Sequence, residues 1–168
     1  GLAGTGRYIK GLAIGGHTAG GHEILQGVAI GGCFAGSGDV DGIAIASLCV
    51  GGNGDVNGIA ISDAINFGNA LSGISLSGIM SSYEKSNGLQ ISAINLSNLS
   101  EGGKQLYQLG LFNKAESGTQ IGLLNYNKNS AFPWMPGFNY SSPIANAIDN
   151  KSGDSRVKSK YSNGNLGK

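Results

Sequence analysis

Apolar and small residues alternate in a short motif that recurs along most of the chain. The motif reads Gly-x-Ala-Ile in its first four copies and becomes looser in the later ones. The eight copies begin at Gly11, Gly27, Gly42, Gly58, Gly73, Gly88, Leu106 and Gly118. Successive copies start 15 or 16 residues apart, except that one pair of steps is 18 and 12 residues and sums to two ordinary steps. A short, fixed period of this kind is typical of repeat architectures.

The alternation within each copy has a period of two residues and therefore predicts a β-strand. A helix is excluded, because each interior glycine would cost it about 1 kcal/mol. Gly, Ser, Asn and Asp separate the copies and favour tight turns. Two short strands and two turns use roughly 15 residues. The predicted fold is all-β: a single β-solenoid, similar to a parallel β-helix, of about eight coils of 15–16 residues each. The equal step favours this coil over an antiparallel meander.

The fourth position of the motif is always Ile or Leu, and we predict that it forms the core. These predicted core residues are Ile14, Ile30, Ile45, Ile61, Leu76, Ile91, Leu109 and Ile121. The third position then points outward, where it predicts a flat strip of small side chains for self-association or for docking of a partner. The predicted interaction face consists of Ala13, Ala29, Ala44, Ala60 and Ser75. Gln90, Gln108 and Gln120 continue this position and predict an exposed amide ladder that ends the face.

The repeats divide the chain into four predicted regions. Residues 1–10 form an N-terminal edge, residues 11–126 form the solenoid, residues 127–140 form a C-terminal cap, and residues 141–168 form a flexible polar tail. Prolines and large aromatic side chains are suited to closing a strand edge and covering a core. The predicted cap residues are Tyr126, Phe132, Trp134, Phe138 and Tyr140. The tail is basic, with five Lys or Arg residues against two Asp residues.

The later repeats carry a resemblance to a known family. Gln-Ile and Gln-Leu pairs followed by Asn recur at 90–95, 108–113 and 120–125, and the segment 132–139 reads Phe-Pro-Trp-Met-Pro-Gly-Phe-Asn. Residues 88–140 thereby resemble a bacterial surface-repeat family known from leptospiral lipoproteins, whose units read Gly-x-Gln-Ile-Gly-Leu-x-Asn. The resemblance implies a secreted or surface-exposed bacterial protein with no known catalytic set. The chain begins at Gly1 without Met, so we expect no leader within it.

Two groups of residues are candidates for metal chemistry. The segment 51–59 loosely resembles a calcium-binding nonapeptide, and the calcium candidates are Asp39, Asp41, Asp55 and Asn57. The alternative is that these residues make turns. His17, His22, Cys33 and Cys49 are a weaker metal candidate, because we expect the two cysteine side chains to face opposite ways. A structural role for them is favoured, and no cofactor is predicted.

Charge and motifs narrow the function. A net charge of +1 gives no strong field for nucleic acid or anionic lipid, and no apolar stretch reaches the length of a membrane-spanning helix. Nucleophile, phosphate-loop and metalloprotease motifs are lacking, which predicts a protein without enzymatic activity. The expected function is a structural or binding module at the bacterial surface, with protein as the partner, either a second copy or a larger assembly. A calcium-dependent exported domain and a flat-face binder of glycan or ice are the alternatives.

Overall fold

The computed structural model describes residues 3–99 and 106–141, and strands but no helices are found there. The strands stack in parallel as a β-solenoid of about eight coils, as the sequence predicts. The strands are β1 (Ala3–Gly15), β2 (Thr18–Gly31), β3 (Phe34–Ala35), β4 (Asp39–Ala46), β5 (Cys49–Gly51), β6 (Val56–Ser62), β7 (Ile65–Ser77), β8 (Met80–Ile91), β9 (Ile94–Leu99), β10 (Leu106–Leu109), β11 (Phe112–Ala115), β12 (Gly118–Asn127) and β13 (Trp134–Ser141).

Each coil contributes one segment to each of two parallel stacks, which we call face A and face B. Face A contains the motif copies in register, so that Ala44 pairs with Ala29 on one side and with Ala60 on the other. Face B contains the segment that follows the next turn, where Cys49 pairs with Phe34 and with Ile65. The long strands β2, β7, β8 and β12 pass through a bend and belong to both faces.

The stacking requires the glycine that opens a motif copy, except at Gly11, where no atom lies within 4 Å of an added Cβ, and in the copy that opens with Leu106. Gly42 has a φ of 143°, and a Cβ built on it would lie 2.0 Å from the carbonyl oxygen of Gly27 in the preceding coil. A side chain at this position would therefore meet the neighbouring backbone as well as a left-handed backbone conformation. The constraint explains why glycine recurs in phase with the coils.

The prediction of which side chains point inward and which point outward is wrong. The supposed interaction face is buried, with Ala29, Ala44 and Ala60 at 0% exposure. The supposed core residues point outward, and every one of them is partly or largely exposed: Ile14, Ile30, Ile45, Ile61, Leu76, Ile91, Leu109 and Ile121. In the first coils the interior already holds Leu25, Val40 and Val56, so the small Ala29, Ala44 and Ala60 complete it and the isoleucines of the motif lie outside.

The interior changes character along the rod. In the first four coils it consists of Ala, Val and Leu, including Leu25, Val40 and Val56. In the later coils Ser, Asn, Gln and Tyr83 join a few apolar residues such as Leu71 and Leu106. Gln90, Gln108 and Gln120 do form a ladder, but it is buried, which corrects the expectation of an exposed one. A second buried ladder joins Asn95, Asn113 and Asn125 on face B.

The last coil is covered by a strand and not by packed rings. β13 runs antiparallel to β12 and supplies hydrogen bonds to its outer edge. The predicted cap side chains do not enter the interior: Tyr126 is half-buried, while Phe132, Trp134, Phe138 and Tyr140 are exposed. Edge pairing is therefore what protects this end, and Asn139 and Ser141 are the residues that β13 turns inward. Almost all of the predicted tail, residues 142–168, lies outside the described residues.

Candidate functional site

The outward side chains form a continuous apolar surface along one edge of the solenoid, and we call it the apolar ridge. It consists of four columns, each with one residue from every coil. The first column of face A contains Leu12, Val28, Ile43, Ile59, Ile74, Leu89, Tyr107 and Thr119. The second column contains the residues predicted as core, from Ile14 to Ile121.

The ridge continues around the turn that joins face A to face B. The corner column contains His17, Cys33, Leu48, Ala64, Ile79, Ala93, Leu111 and Leu123. The column on face B contains Thr18, Phe34, Cys49, Ile65, Met80, Ile94, Phe112 and Leu124. The ridge is therefore convex, with apolar side chains on both faces and on the corner between them.

The size and composition of the ridge set it apart from an ordinary surface. None of the four columns contains Asp, Glu, Lys or Arg, and Asp63 is the single acidic residue in the turns beside the corner column. Exposure reaches 63% at Ile14 and 73% at Leu123. Eight coils make the ridge about 35 Å long, and its two face A columns are about 7 Å apart. Contiguous apolar surface on this scale marks an interaction site.

Strand β13 extends the ridge at its C-terminal end. Phe138 pairs with Ile121 of the second column, and Tyr140 pairs with Thr119 of the first. Trp134 pairs with Tyr126 on face B, and the two rings are 4.7 Å apart. Of the aromatic residues assigned to a cap, Phe138 and Tyr140 therefore continue the two face A columns, whereas Tyr126 and Trp134 lie beside the face B column, in line with Lys114.

The opposite edge of the rod is polar and hydrogen-bonded between coils. The backbone N–H of Asp55 donates to Oδ1 of Asp39 at 2.9 Å, and Nδ2 of Asn57 donates to Oδ1 of Asp41 at 3.1 Å. Nδ2 of Asn69 donates to Oδ1 of Asp55 at 3.0 Å. The calcium candidates are thus brought together, and their carboxylates accept hydrogen bonds from neighbouring coils. Within the described ranges, no group of three His, Cys, Asp or Glu side chains is placed to hold a metal ion.

The histidines and cysteines are also not assembled into a site. Cys33 and Cys49 lie in adjacent coils as free, half-buried thiols, and both belong to the ridge. The ring of His17 packs near that of Phe34, with 5.6 Å between centroids. His22 lies on the polar side of the rod. Both cysteines lie on the outer surface, which corrects the expectation that their side chains face opposite ways.

Face B carries a groove of about 920 Å³ between the ridge and the polar edge. Its floor is the bare backbone of Gly20, Gly36 and Gly51, and Phe34 and Phe67 are half-exposed among its lining residues. The floor has a structural explanation, because a Cβ on Gly20 would lie 1.7 Å from the carbonyl oxygen of Gly36. The groove follows from the tight stacking of these coils.

A small charged cluster lines the polar wall of this groove. Nε of Arg7 donates to Oε1 of Glu23 at 2.6 Å. Hydrogen bonds from Tyr8 and from Arg7 lower the pKa of the Glu23 carboxyl, which favours its ionised form. The same contact with Glu23 raises the pKa of the Tyr8 hydroxyl. The carboxylate is therefore held as a charged hydrogen-bond acceptor in an ion pair on the surface.

The buried polar residues serve the coil itself. Nδ2 of Asn113 donates to Oδ1 of Asn125 at 2.7 Å and to the carbonyl oxygen of Ile121 at 2.9 Å. Nδ2 of Asn95 makes the equivalent bond to the carbonyl oxygen of Leu109 at 3.0 Å. Each of these asparagines thus donates to a backbone carbonyl oxygen of the next coil, at the end of the strand that precedes the corner turn. The ladders are structural, and their side chains are occupied by these bonds.

The ridge was not predicted from the sequence, although the motif contains a pattern that indicates it. The motif places a large aliphatic residue on each side of the small one, as Ile43 and Ile45 flank Ala44. Two large residues and one small residue in a coil this short indicate that the small residue faces inward. Side-chain volume, and not hydrophobicity, carried the information.

No helix in the described part of the chain is long and apolar enough to cross a bilayer. Comparison of the chain with protein-family models, with curated proteins and with solved structures found no match.

Proposed function

We propose that the chain is a non-enzymatic binding module, a rigid rod whose apolar ridge is its contact surface. The observation that carries the proposal is the ridge itself: four columns without a charged side chain, exposed along eight coils. Water contact with such a surface is unfavourable at roughly 25 cal/mol for each Å² of apolar area. Covering it is therefore a strong driving force for association.

The interior supports a structural role for the rod. Its amide ladders bond successive coils to one another, as the Gln120–Gln108 and Asn113–Asn125 bonds do. Regular ladders of this kind stiffen a stack of coils, because Gln108 and Asn113 are each fixed by a neighbouring amide on both sides. A stiff rod keeps the columns of the ridge in line, which a surface that binds along its whole length requires.

We further propose that this module acts at the bacterial surface or outside the cell. The support is the resemblance of residues 88–140 to surface repeats. The flat Ala face proposed from the sequence is withdrawn as a contact surface, since Ala29, Ala44 and Ala60 are buried. The alternative of a flat-face binder of glycan or ice stays a prediction.

The test compares the parent with a ridge variant in which Leu109, Leu111, Ile121 and Leu123 are all changed to threonine. These side chains are exposed and belong to the second and corner columns. We expect the parent to associate, either with itself in light scattering or with lipid vesicles in flotation, and the variant to lose that association. A matched control changes Gln26, Ser72 and Asn98 on the polar side to threonine and should behave like the parent. A parent that stays monomeric and does not float with vesicles contradicts the proposal.

A further inference from the structure

Both ends of the rod expose the edge of a strand. Within residues 3–99 and 106–141, β1 pairs only with β2 and β13 pairs only with β12, whereas every other strand pairs with at least two neighbours. The outer sides of β1 and β13 therefore present backbone N–H and C=O groups to a further strand. Such an edge is a template for pairing with another chain.

The edge of β1 has the backbone of an inner coil with one side open. Gly11 has a φ of 104°, like the glycines that open the following copies, but a Cβ built on it has no atom within 4 Å. In the next coil, a Cβ on Gly27 would lie 2.1 Å from the carbonyl oxygen of Gly11. Leu12 is 64% exposed and Ile14 is 63% exposed. The β1 edge is thus shaped to receive a strand on its outer side.

The exposed segment of β1 repeats the sequence pattern with which β13 already pairs. On its inner side β13 lies antiparallel to residues 118–122 through its own residues 137–141. Residues 118–122 read Gly-Thr-Gln-Ile-Gly, and residues 11–15 of β1 read Gly-Leu-Ala-Ile-Gly. A pairing of residues 11–15 with the outer side of residues 137–141 therefore reproduces a register that is present within the rod.

The side chains of the two segments are complementary in that register. Leu12 would lie opposite Tyr140, and Ile14 opposite Phe138, and all four are exposed in the single rod. Aromatic side chains beside aliphatic ones are favourable cross-strand pairs. Neither five-residue segment contains a charged residue or proline, the residues that usually protect strand edges from pairing.

We infer that copies of this chain stack end to end, with β13 of one rod pairing antiparallel with β1 of the next. The inference goes beyond the proposed function, because it concerns the ends of the rod and not the apolar ridge. Successive rods have the same direction in this stack, so faces A and B and the ridge continue from copy to copy. A head-to-tail contact that does not close into a ring produces a filament.

The experiment is light scattering of the full chain at increasing concentration, followed by electron microscopy. We expect the mass of the parent to rise steadily with concentration and the images to show unbranched filaments. The β1 variant, Leu12→Lys with Ile14→Lys, should form none, because the contact would desolvate two ammonium groups. The β13 variant, Phe138→Glu with Tyr140→Glu, should form none for the same reason.

A matched control places the same charges at the same repeat positions of an inner coil. Tyr107→Lys with Leu109→Lys alters two exposed side chains that lie away from both ends. This control should form filaments like the parent. Filaments in the β1 variant or in the β13 variant, or their loss in the control, contradict the pairing of β1 with β13.

Mixing the two end variants tests the direction of the stack. The lysines of one variant then meet the glutamates of the other, and the remaining contact is the native one, so filaments should return. A two-fold contact between two β1 edges would instead survive in the β13 variant alone, and one between two β13 edges would survive in the β1 variant alone. A dimer in one end variant and not in the other therefore overturns the inference.

A competition experiment uses the parent alone and does not depend on the folding of a variant. A peptide with the sequence of residues 134–141, added in excess, should cover the β1 edge and lower the mean mass of the filaments at least about twofold. A peptide of the same residues in scrambled order should leave the mass unchanged. Equal masses with the two peptides contradict the pairing.

The outcomes separate the ends of the rod from the ridge. Association that persists in both end variants and is lost in the ridge variant overturns the end contact and keeps the ridge as a contact surface. Filaments that persist in the ridge variant and are lost in both end variants support the end contact independently of the ridge. A parent that stays at the mass of a single chain at every concentration overturns the inference.

Discussion

Nε2 of Gln108 donates a hydrogen bond to Oε1 of Gln90 across 2.7 Å, between two buried side chains in successive coils. Gln120 repeats the contact by donating to Oε1 of Gln108 at 2.8 Å. The amides thus run in one direction through the interior, at positions where the first coils carry alanine. The amide of Gln108 is bonded at both atoms, whereas Oε1 of the terminal Gln120 accepts no hydrogen bond.

Replacing Gln108 with leucine should destabilise the rod by about 3 kcal/mol, because Oε1 of Gln90 loses its donor in a buried site. Chemical denaturation of parent and variant measures this difference. Leu109→Thr is the control, since Leu109 is the next residue and points outward, and its effect should stay within about 0.5 kcal/mol. Similar losses of unfolding free energy in the two variants would contradict the stabilising role of the Gln108 amide.

The reversed orientation of the strands is tested by two neighbouring residues. Ala44 is fully buried, and Ala44→Leu should cost about 3 kcal/mol or prevent folding, because the two faces have no room for the added carbons. Ile45→Thr should change the free energy of unfolding by less than about 1 kcal/mol, because residue 45 faces outward. Thermal melts of the two variants decide the point, and greater damage from Ile45→Thr refutes the orientation.

Two glycines at the same repeat position allow the stability cost of a positive φ to be measured apart from the cost of close packing. Gly42 and Gly11 both have positive φ, but a Cβ on Gly11 has no atom within 4 Å, whereas one on Gly42 meets Gly27. Gly11→Ala should therefore cost only about 1–2 kcal/mol of conformational strain. Gly42→Ala should cost considerably more, because the backbone of the preceding coil must move. Equal midpoints in urea for the two variants would remove the packing explanation.

Because Tyr83 is buried, we expect the rod to lose stability in alkaline solution. Burial raises the pKa of its hydroxyl from 10.0 to about 12, an effect that the hydrogen bond from Tyr83 to Ser75 partly opposes. The folded chain therefore holds this proton more tightly than the unfolded chain does. The stabilisation is fully present below pH 10.0 and is lost as the pH rises to about 12. Unfolding measured across this window should show a steeper fall for the parent than for Tyr83→Phe, and identical slopes refute the assignment.

Calcium should leave the stability of the rod unchanged. Asp39, Asp41 and Asp55 already accept hydrogen bonds from adjacent coils, which provides the contacts that bring this edge together. We expect the same melting temperature with added calcium and with a chelator. A rise of several degrees with calcium, absent in Asp41→Asn, would instead favour the calcium-dependent alternative.

The period of the motif was sufficient to predict the solenoid. Recurrence of the motif every 15 or 16 residues set the number of coils, and the register that pairs Ala29 with Ala44 follows from the same alignment. The hydrogen bonds from the buried Asn95 and Asn113 to the next coil do not follow from spacing. The candidate site was assigned to the wrong side of the strand, because alternation separates the two sides without identifying the inner one.

What the sequence alone determined was therefore everything that depends on spacing: strands, coils, stacking and the need for glycine. What only the tertiary structure decided was which side of each strand faces inward, and with it the location of the contact surface. The physical reason is that alternation treats the two sides of a strand alike. Packing with Leu25, Val40 and Val56 places Ala44 inside, hydrogen bonds between the amides place Gln108 inside, and Ile45 and Leu109 lie outside.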